Sequence, residues 1–226
     1  MPFPSSKIIL AAPIVLLGIT HAKSLPLGYT LRSWLYLRAA VKQAKQNKLQ
    51  PPPLFSALSL DHRCLFDDMD YNQHMNNSSY NKMLDFSRIQ VLYRIFARIM
   101  MEPNHDIYGH NGGVLTLFKK EIPPFQKYKV DSRIFTWDQK WLIIEHRFVF
   151  DNDKGEEVLA CRSLSKIVFK KSSGKTVPPA QVLELCGHDL SKIEIERRRE
   201  KHWDIAKHLL SLDDLFKTDY PWDSKL

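Results

Sequence analysis

The sequence predicts an α+β domain in which one long helix is covered by an antiparallel sheet of about five strands. Residues 77–101 carry Tyr80, Leu84, Val91, Ile95 and Ile99 at helical spacing, with Leu92, Phe96 and Met100 beside them. So long an apolar stripe needs an apolar sheet face to cover it. Four runs rich in Val, Ile, Phe and Trp follow, at 113–122, 129–137, 141–150 and 158–170. Their separators are short and turn-like, and short links between long strands favour antiparallel pairing. A fifth strand, at 58–66, precedes the helix. Between that strand and the helix lies the densest polar stretch of the chain, 66–80, with Asp67, Asp68, Asp70, Asn72, His74, Asn76 and Asn77. A turn there presents side chains that neither neighbouring element could expose alone, so it reads as a site.

The chain of 226 residues has room for one ordinary domain with appendages. Residues 1–54 form the first part. An apolar run at 8–20, with Pro13 and Gly18 inside it, is shorter than the roughly 20 residues of a membrane span. Behind it, Leu31, Trp34, Leu35 and Val41 alternate with Arg32, Arg38, Lys42 and Lys45 in a basic amphipathic helix. Such a helix either lies on an anionic membrane surface or packs on its own domain. Pro51, Pro52 and Pro53 stop it. Residues 55–187 are the folded unit. Residues 188–226 form a charged tail with a further helix, of mixed charge on a solvated face, running 191–216.

The net charge of +8 invites a nucleic-acid reading, but its location opposes one. Residues 1–50 hold seven of the 33 Lys and Arg and no acid, which leaves 26 basic against 25 acidic residues elsewhere. The folded unit is therefore close to neutral, and no nucleic-acid partner is expected. Cys64, Cys161 and Cys186 have neither disulfide nor metal-ligand spacing, so no metal and no other cofactor is expected. Two address signals compete. The terminal Ser224-Lys225-Leu226 has the form of a peroxisomal address. The apolar run followed by basic residues suits a membrane anchor with its protein in the cytosol, and an acid-poor, basic start also suits a mitochondrial leader.

A strand, then Asp70-x-Asn72-x-His74-x-Asn76-Asn77-x-x-Tyr80, then a long helix and antiparallel strands, resembles the hot dog fold thioesterases. The likeness covers about residues 55–187. It extends to eukaryotic thioesterase-superfamily proteins with an apolar N-terminal anchor, related to the 4-hydroxybenzoyl-CoA thioesterases, and to plant acyl-ACP thioesterases. In the plant enzymes the Asp, Asn and His at the places of Asp70, Asn72 and His74 are implicated in catalysis. A Glu-Cys pair follows in the next strand; here Glu121 takes the Glu place and Ile122 stands where the Cys would be. The resemblance implies hydrolysis of fatty acyl-CoA and a homodimer with sites at the interface.

The chemistry suits these residues. Asp70 can attack a thioester or activate water, His74 can move protons near neutral pH, and Asn72 can hold Asp70 or the water. The helix start offers free N–H groups to an oxyanion. Asn76 and Asn77 suit helix caps beside the substrate, and Gly112 and Gly113, ahead of the next strand, are candidates to line its pocket. Asp67 and Asp68 are expected in solvent, and Arg88, Arg94 and Arg98 on the helix face away from the sheet. Each site residue also has a plainer role: Asp70 capping its own turn, His74 fixing the loop. Two rival functions share the residues. One is a non-catalytic membrane-associated hot dog protein that binds acyl chains or a partner. The other is an enoyl-thioester hydratase, although hydratases place four residues between Asp and His where this chain has three.

Overall fold

The computed structural model describes residues 13, 15–102 and 104–216. Ser224-Lys225-Leu226, Pro103 and, of the apolar run at 8–20, residues 8–12 and 14 lie outside them. The helix at 28–46 (α1, Gly28–Gln46) is followed by β1 (Leu58–Arg63), a 3-10 turn (Phe66–Asp68) and the central helix α2 (Asn77–Ile95). A short helix α3 (Ala97–Met101) continues it after a break at Phe96. Then come β2 (Tyr108–Phe118), β3 (Lys127–Trp137), β4 (Trp141–Asp151) and β5 (Glu157–Lys170). The chain goes on through β6 (Thr176–Val177), α4 (Pro179–Leu185), α5 (Ile193–Leu210) and a 3-10 turn (Ser211–Phe216).

The strands form one sheet, β1-β3-β4-β5-β2, antiparallel throughout, with short β6 added on β5. Six strands replace the five expected because a tight turn after β5 lets Thr176 and Val177 fold back on Lys170 and Phe169. The second strand also starts earlier than its apolar run. Residues 108–111 pair with β5 before the run begins, and a bulge between Asn111 and Gly113 takes up the extra residue, Gly112.

Alternation sends Val130, Ser132 and Ile134 of β3 and Ile144, His146 and Phe148 of β4 toward α2. Two apolar clusters result. One gathers Val91 and Ile95 against Ile134, Ile144 and Ile167; the other gathers Tyr80, Met83 and Leu84 against Val130 and Phe148. A polar row separates them. His146 stands between Ser132 Oγ at 2.7 Å and Ser165 Oγ at 3.0 Å, and Ser165 in turn accepts from Arg88 at 3.1 Å. Burial and the Arg88 charge push the His146 pKa down to about 3, so the ring is neutral. Burial, with Arg32 and Lys23 nearby, pushes His62 down to about 4.

These two histidines fix a pH dependence. Unfolded, each binds a proton near pH 6.5; folded, each binds it only near 3 or 4. Between those limits the unfolded chain holds more protons, so acid favours unfolding. Their contribution is complete above about pH 6.5 and declines by up to ~1.4 kcal/mol per pH unit per histidine as pH falls. Urea melts at pH 7 and pH 5 should show the loss, and His146→Gln should make the decline shallower. An equally steep decline in that variant would remove His146 from the account.

The outer faces are covered too. On the far side of the sheet, α5 lays Ala206 against Phe135 and Ile143, and His202 stacks on Phe135 at 4.3 Å between ring centroids. Thr136 Oγ1 donates to Arg199 O at 2.7 Å. The tail helix therefore has one packed face, while its outer charges pair locally, Arg199 with Glu196 and Lys207 with Asp204. On the near side, α1 lies across α2: Tyr36 stacks on Phe86 at 4.6 Å and Arg32 sits over the same ring. Helix α2 is thus enclosed from both sides. Arg88, expected on the face away from the sheet, instead turns toward it, donates to Ser165 of β5 and is buried. One face of α1 packs on its own domain; the other exposes Leu27, Leu31, Trp34 and Leu35. Among the described residues no helix is long and apolar enough to cross a membrane.

Candidate active site

The site grows from the turn between β1 and α2. Met69 and Met75 form an antiparallel bridge, and Gln73 takes the left-handed conformation (φ 61°) that reverses the chain between them. Asp70 and His74 therefore face each other across a small hairpin, with Asp70 N–H donating to His74 O at 3.1 Å. The N–H of Asn72 donates to Asp70 Oδ1 at 2.9 Å, the Asx-type turn that Asp favours. Asp70 thus caps its turn and also faces His74. Asn72 holds it through the backbone; its side chain is exposed.

Met75 N–H donates to Ile122 O at 3.1 Å, and that bond draws the residues after β2 alongside the hairpin. Glu121 arrives beside the imidazole as a result. His74 Nδ1 stands 3.8 Å from Asp70 Oδ1, and Nε2 stands 3.7 Å from Glu121 Oε1. Both separations exceed a hydrogen bond, so the ring is flanked by two carboxylates without being locked to either. Catalytic hydrogen bonds commonly tighten only when substrate is in place. Ile122 is fully buried in the second apolar cluster, so a thiol at that place would not face the ring. Burial pushes all three cysteines up to about 11, which leaves none as a ready thiolate.

Asn76 is the N-cap of α2: its Oδ1 accepts from Ser78 N at 2.8 Å and its carbonyl accepts from Ser79 N at 2.9 Å. The free N–H groups expected at the helix start are thereby reduced, leaving Asn77, which lines the pocket. That pocket is a notch of about 330 Å³ bounded by His74, Asn77, Tyr80, Phe118, Lys120 and Glu121. Gly112 and Gly113 are not brought to it. They belong to the bulge of β2, where a Cβ on Gly112 would lie 2.6 Å from the Trp141 ring. Gly112 serves close packing against Trp141, not the notch.

Asp68, expected in solvent, is 2% exposed. Its Oδ2 accepts from Leu65 N at 2.9 Å and pairs with Lys23, while its carbonyl accepts from Asn76 N at 2.7 Å and Ser79 Oγ at 3.1 Å. Asp67 accepts from Ser24 N at 3.0 Å. The chain ahead of α1 is therefore tied to the loop two residues before Asp70. No local pattern distinguishes such an Asp from a solvated one, because its partner Lys23 is 45 residues away.

The thioesterase-like superfamily model matches residues 64–185, which span the hairpin, α2, strands β2 to β6 and α4. A Saccharomyces cerevisiae protein named as a probable thioesterase is 36% identical over 182 residues, covering 75% of this chain and 76% of that protein. A thioesterase of Purpureocillium lilacinum is 30% identical over 217 residues, covering 77% and 70% respectively. A probable thioesterase of Escherichia coli of known structure superposes with a TM-score of 0.50 at 15% identity, over 57% of this chain and 95% of that one; that likeness speaks for the fold alone. The enclosed helix, the antiparallel sheet around it and the match across more than half of the sequence agree: this chain is a member of the thioesterase-like superfamily and has its hot dog fold.

Proposed function

We propose that the protein hydrolyses acyl-CoA thioesters at the corner formed by Asp70, His74 and Glu121. The observation that carries this is the imidazole held between two carboxylates at the mouth of the notch, beside the first residue of α2. A water placed there loses a proton to the His74–carboxylate pair as its oxygen attacks the carbonyl carbon. The tetrahedral oxyanion is met by the positive end of α2. The C–S bond then breaks, the proton returns to the departing thiolate, and free acid and thiol leave. Lys119 and Lys120 line the same notch, suited to the phosphates of CoA.

The test is release of free thiol from acyl-CoA by the full chain. No release from any acyl-CoA would refute the reading; loss of a 2-enoyl-CoA without thiol release would instead assign a hydratase.

We also propose assembly through β2. It is an edge strand of eleven residues, next to the notch, whose exposed Leu117 lies on the face away from α2 and whose exposed Val114 and Phe118 line the α2 side. A second copy pairing there would place its own residues beside Glu121. Leu117→Lys should shift the particle from dimer to monomer in light scattering; an unchanged mass would count against this edge.

The exposed face of α1, with Trp34 under Arg38 at 4.6 Å, suits an anionic membrane surface. Localisation in peroxisomes, through Ser224-Lys225-Leu226, or at a membrane facing the cytosol, with mitochondria as the third possibility, is decided by imaging a tagged chain with and without the last three residues.

A further inference from the structure

The notch at His74 runs into a larger cleft of about 580 Å³, and the two share Asn77 and Phe118. The cleft lies between α2 and β2. Its helical wall is Ser78, Asn81, Asp85 and Arg88, three or four residues apart and so on one helix face. Asn111 and Thr116 of β2 stand opposite. From Asn77 to Arg88 this wall runs about 16 Å along the helix at 1.5 Å per residue.

The polar groups of this wall are held in place from behind. Arg88 is only 8% exposed. Its Nη1 donates to Ser165 Oγ at 3.1 Å, and the row continues through His146 to Ser132, across three strands. Its Nη2 pairs with Asp85, whose other oxygen accepts from Tyr29 Oη at 2.8 Å. A guanidinium has five N–H donors. Ser165 and Asp85 take one each, so donors remain for an oxygen in the cleft. The interior behind is packed solid: Met83, Leu84 and Phe148 have no exposed surface. An alkyl tail laid along the cleft would dehydrate Asn81, Asn111 and Arg88 and give them no partner, which is costly. Oxygen atoms on the tail would repay that loss.

We propose that the acyl group cleaved by this enzyme is oxygenated along its length, and that Arg88 reads an oxygen far from the thioester. The proposal rests on the hydrolase reading at His74 and names its substrate class. The oxygen is a hydroxyl or a carboxylate; both accept from a guanidinium.

The test compares kcat/KM of the full chain on dodecanoyl-CoA, ω-hydroxydodecanoyl-CoA and the mono-CoA thioester of dodecanedioic acid. At least one oxygenated substrate should be favoured ~10-fold or more over dodecanoyl-CoA, the worth of a hydrogen bond to a charged group. Preference for the hydroxyl arm assigns a neutral oxygen, and preference for the diacid arm assigns an anionic one. Arg88→Met should remove the preference while turnover of dodecanoyl-CoA persists. Because Arg88 is buried, Asn81→Leu provides a second variant at an exposed position, and it should move the preference toward dodecanoyl-CoA. Dodecanoyl-CoA cleaved as fast as both oxygenated chains would overturn the substrate class and leave the hydrolase reading standing. A preference that both variants leave unchanged would also overturn it. No turnover of any of the three would remove both.

Discussion

Asp70→Asn should lower kcat for thioester cleavage by about 10²–10⁴-fold, with a melting temperature close to that of the parent chain. The substitution keeps the shape and one oxygen, so the bond from Asn72 N–H and the hairpin both survive. What it removes is the negative charge 3.8 Å from His74 Nδ1. Without that charge the imidazolium formed during water activation loses a stabilising neighbour, and the ring loses a base beside it. His74→Ala should be at least as damaging. Glu121→Gln should cost less, about tenfold, because Glu121 is 73% exposed on its side chain and water screens it. Steady-state rates with matched thermal melts decide the matter. Full activity in Asp70→Asn would limit that residue to its turn-capping role, and activity retained in His74→Ala would displace the site from the notch.

Asp68→Ala should cost about 3 kcal/mol of stability, and more activity than its distance from the substrate suggests. Its side chain neutralises Lys23 and takes the N–H of Leu65 in a place water scarcely reaches. Removing the carboxylate strands a partly buried ammonium and an amide together, the situation in which a broken buried pair is most harmful. Lys23→Ala should be the milder change, because the Lys23 side chain is 17% exposed and Asp68 would keep its amide donor. Urea melts rank the two, and a larger loss in Lys23→Ala would reverse this order. Lys23→Met/Asp68→Leu should recover part of the stability, since paired charges can be exchanged for apolar groups at little cost. The activity of that double variant then shows whether the tie to the N-terminal segment positions Asp70 or only supports it.

The sheet, the long helix and the turn between them were legible because each depends on local periodicity or local turn chemistry. The apolar spacing of Leu84, Val91 and Ile95 marks one buried face of α2. It does not show that α1 buries another, because Phe86 looks the same in sequence whether a second helix covers it or water does. Asp70 and His74 stand out in the polar stretch, and Glu121 enters through a resemblance; the structure sets each carboxylate within 4 Å of His74, Asp70 by the hairpin and Glu121 by the backbone bond from Met75 to Ile122. Gly112 and Gly113 were misplaced because a glycine pair ahead of an apolar run reads as a loop, whereas a bulge lets the strand continue through it. Arg88, Asp85 and Asp68 were missed for a shared reason. Each has a partner on a distant element (Ser165, Tyr29 and Lys23 respectively), and only the closed fold reveals those pairings.

The enclosure of α2 from both sides sets a limit on proteolytic processing. Arg32 and Tyr36 roof Phe86, and Ala40 and Ala44 of α1 are buried as well. An organellar leader is removed on import; here removal is tolerable only if the cut falls before Lys23, upstream of the ties to Asp67 and Asp68. A recombinant version begun at the Pro51–Pro53 segment, the natural-looking domain boundary, would uncover an aromatic ring and a guanidinium built for the interior. Such a truncation should express as aggregate, so studies of this enzyme need the N-terminal helix kept in place.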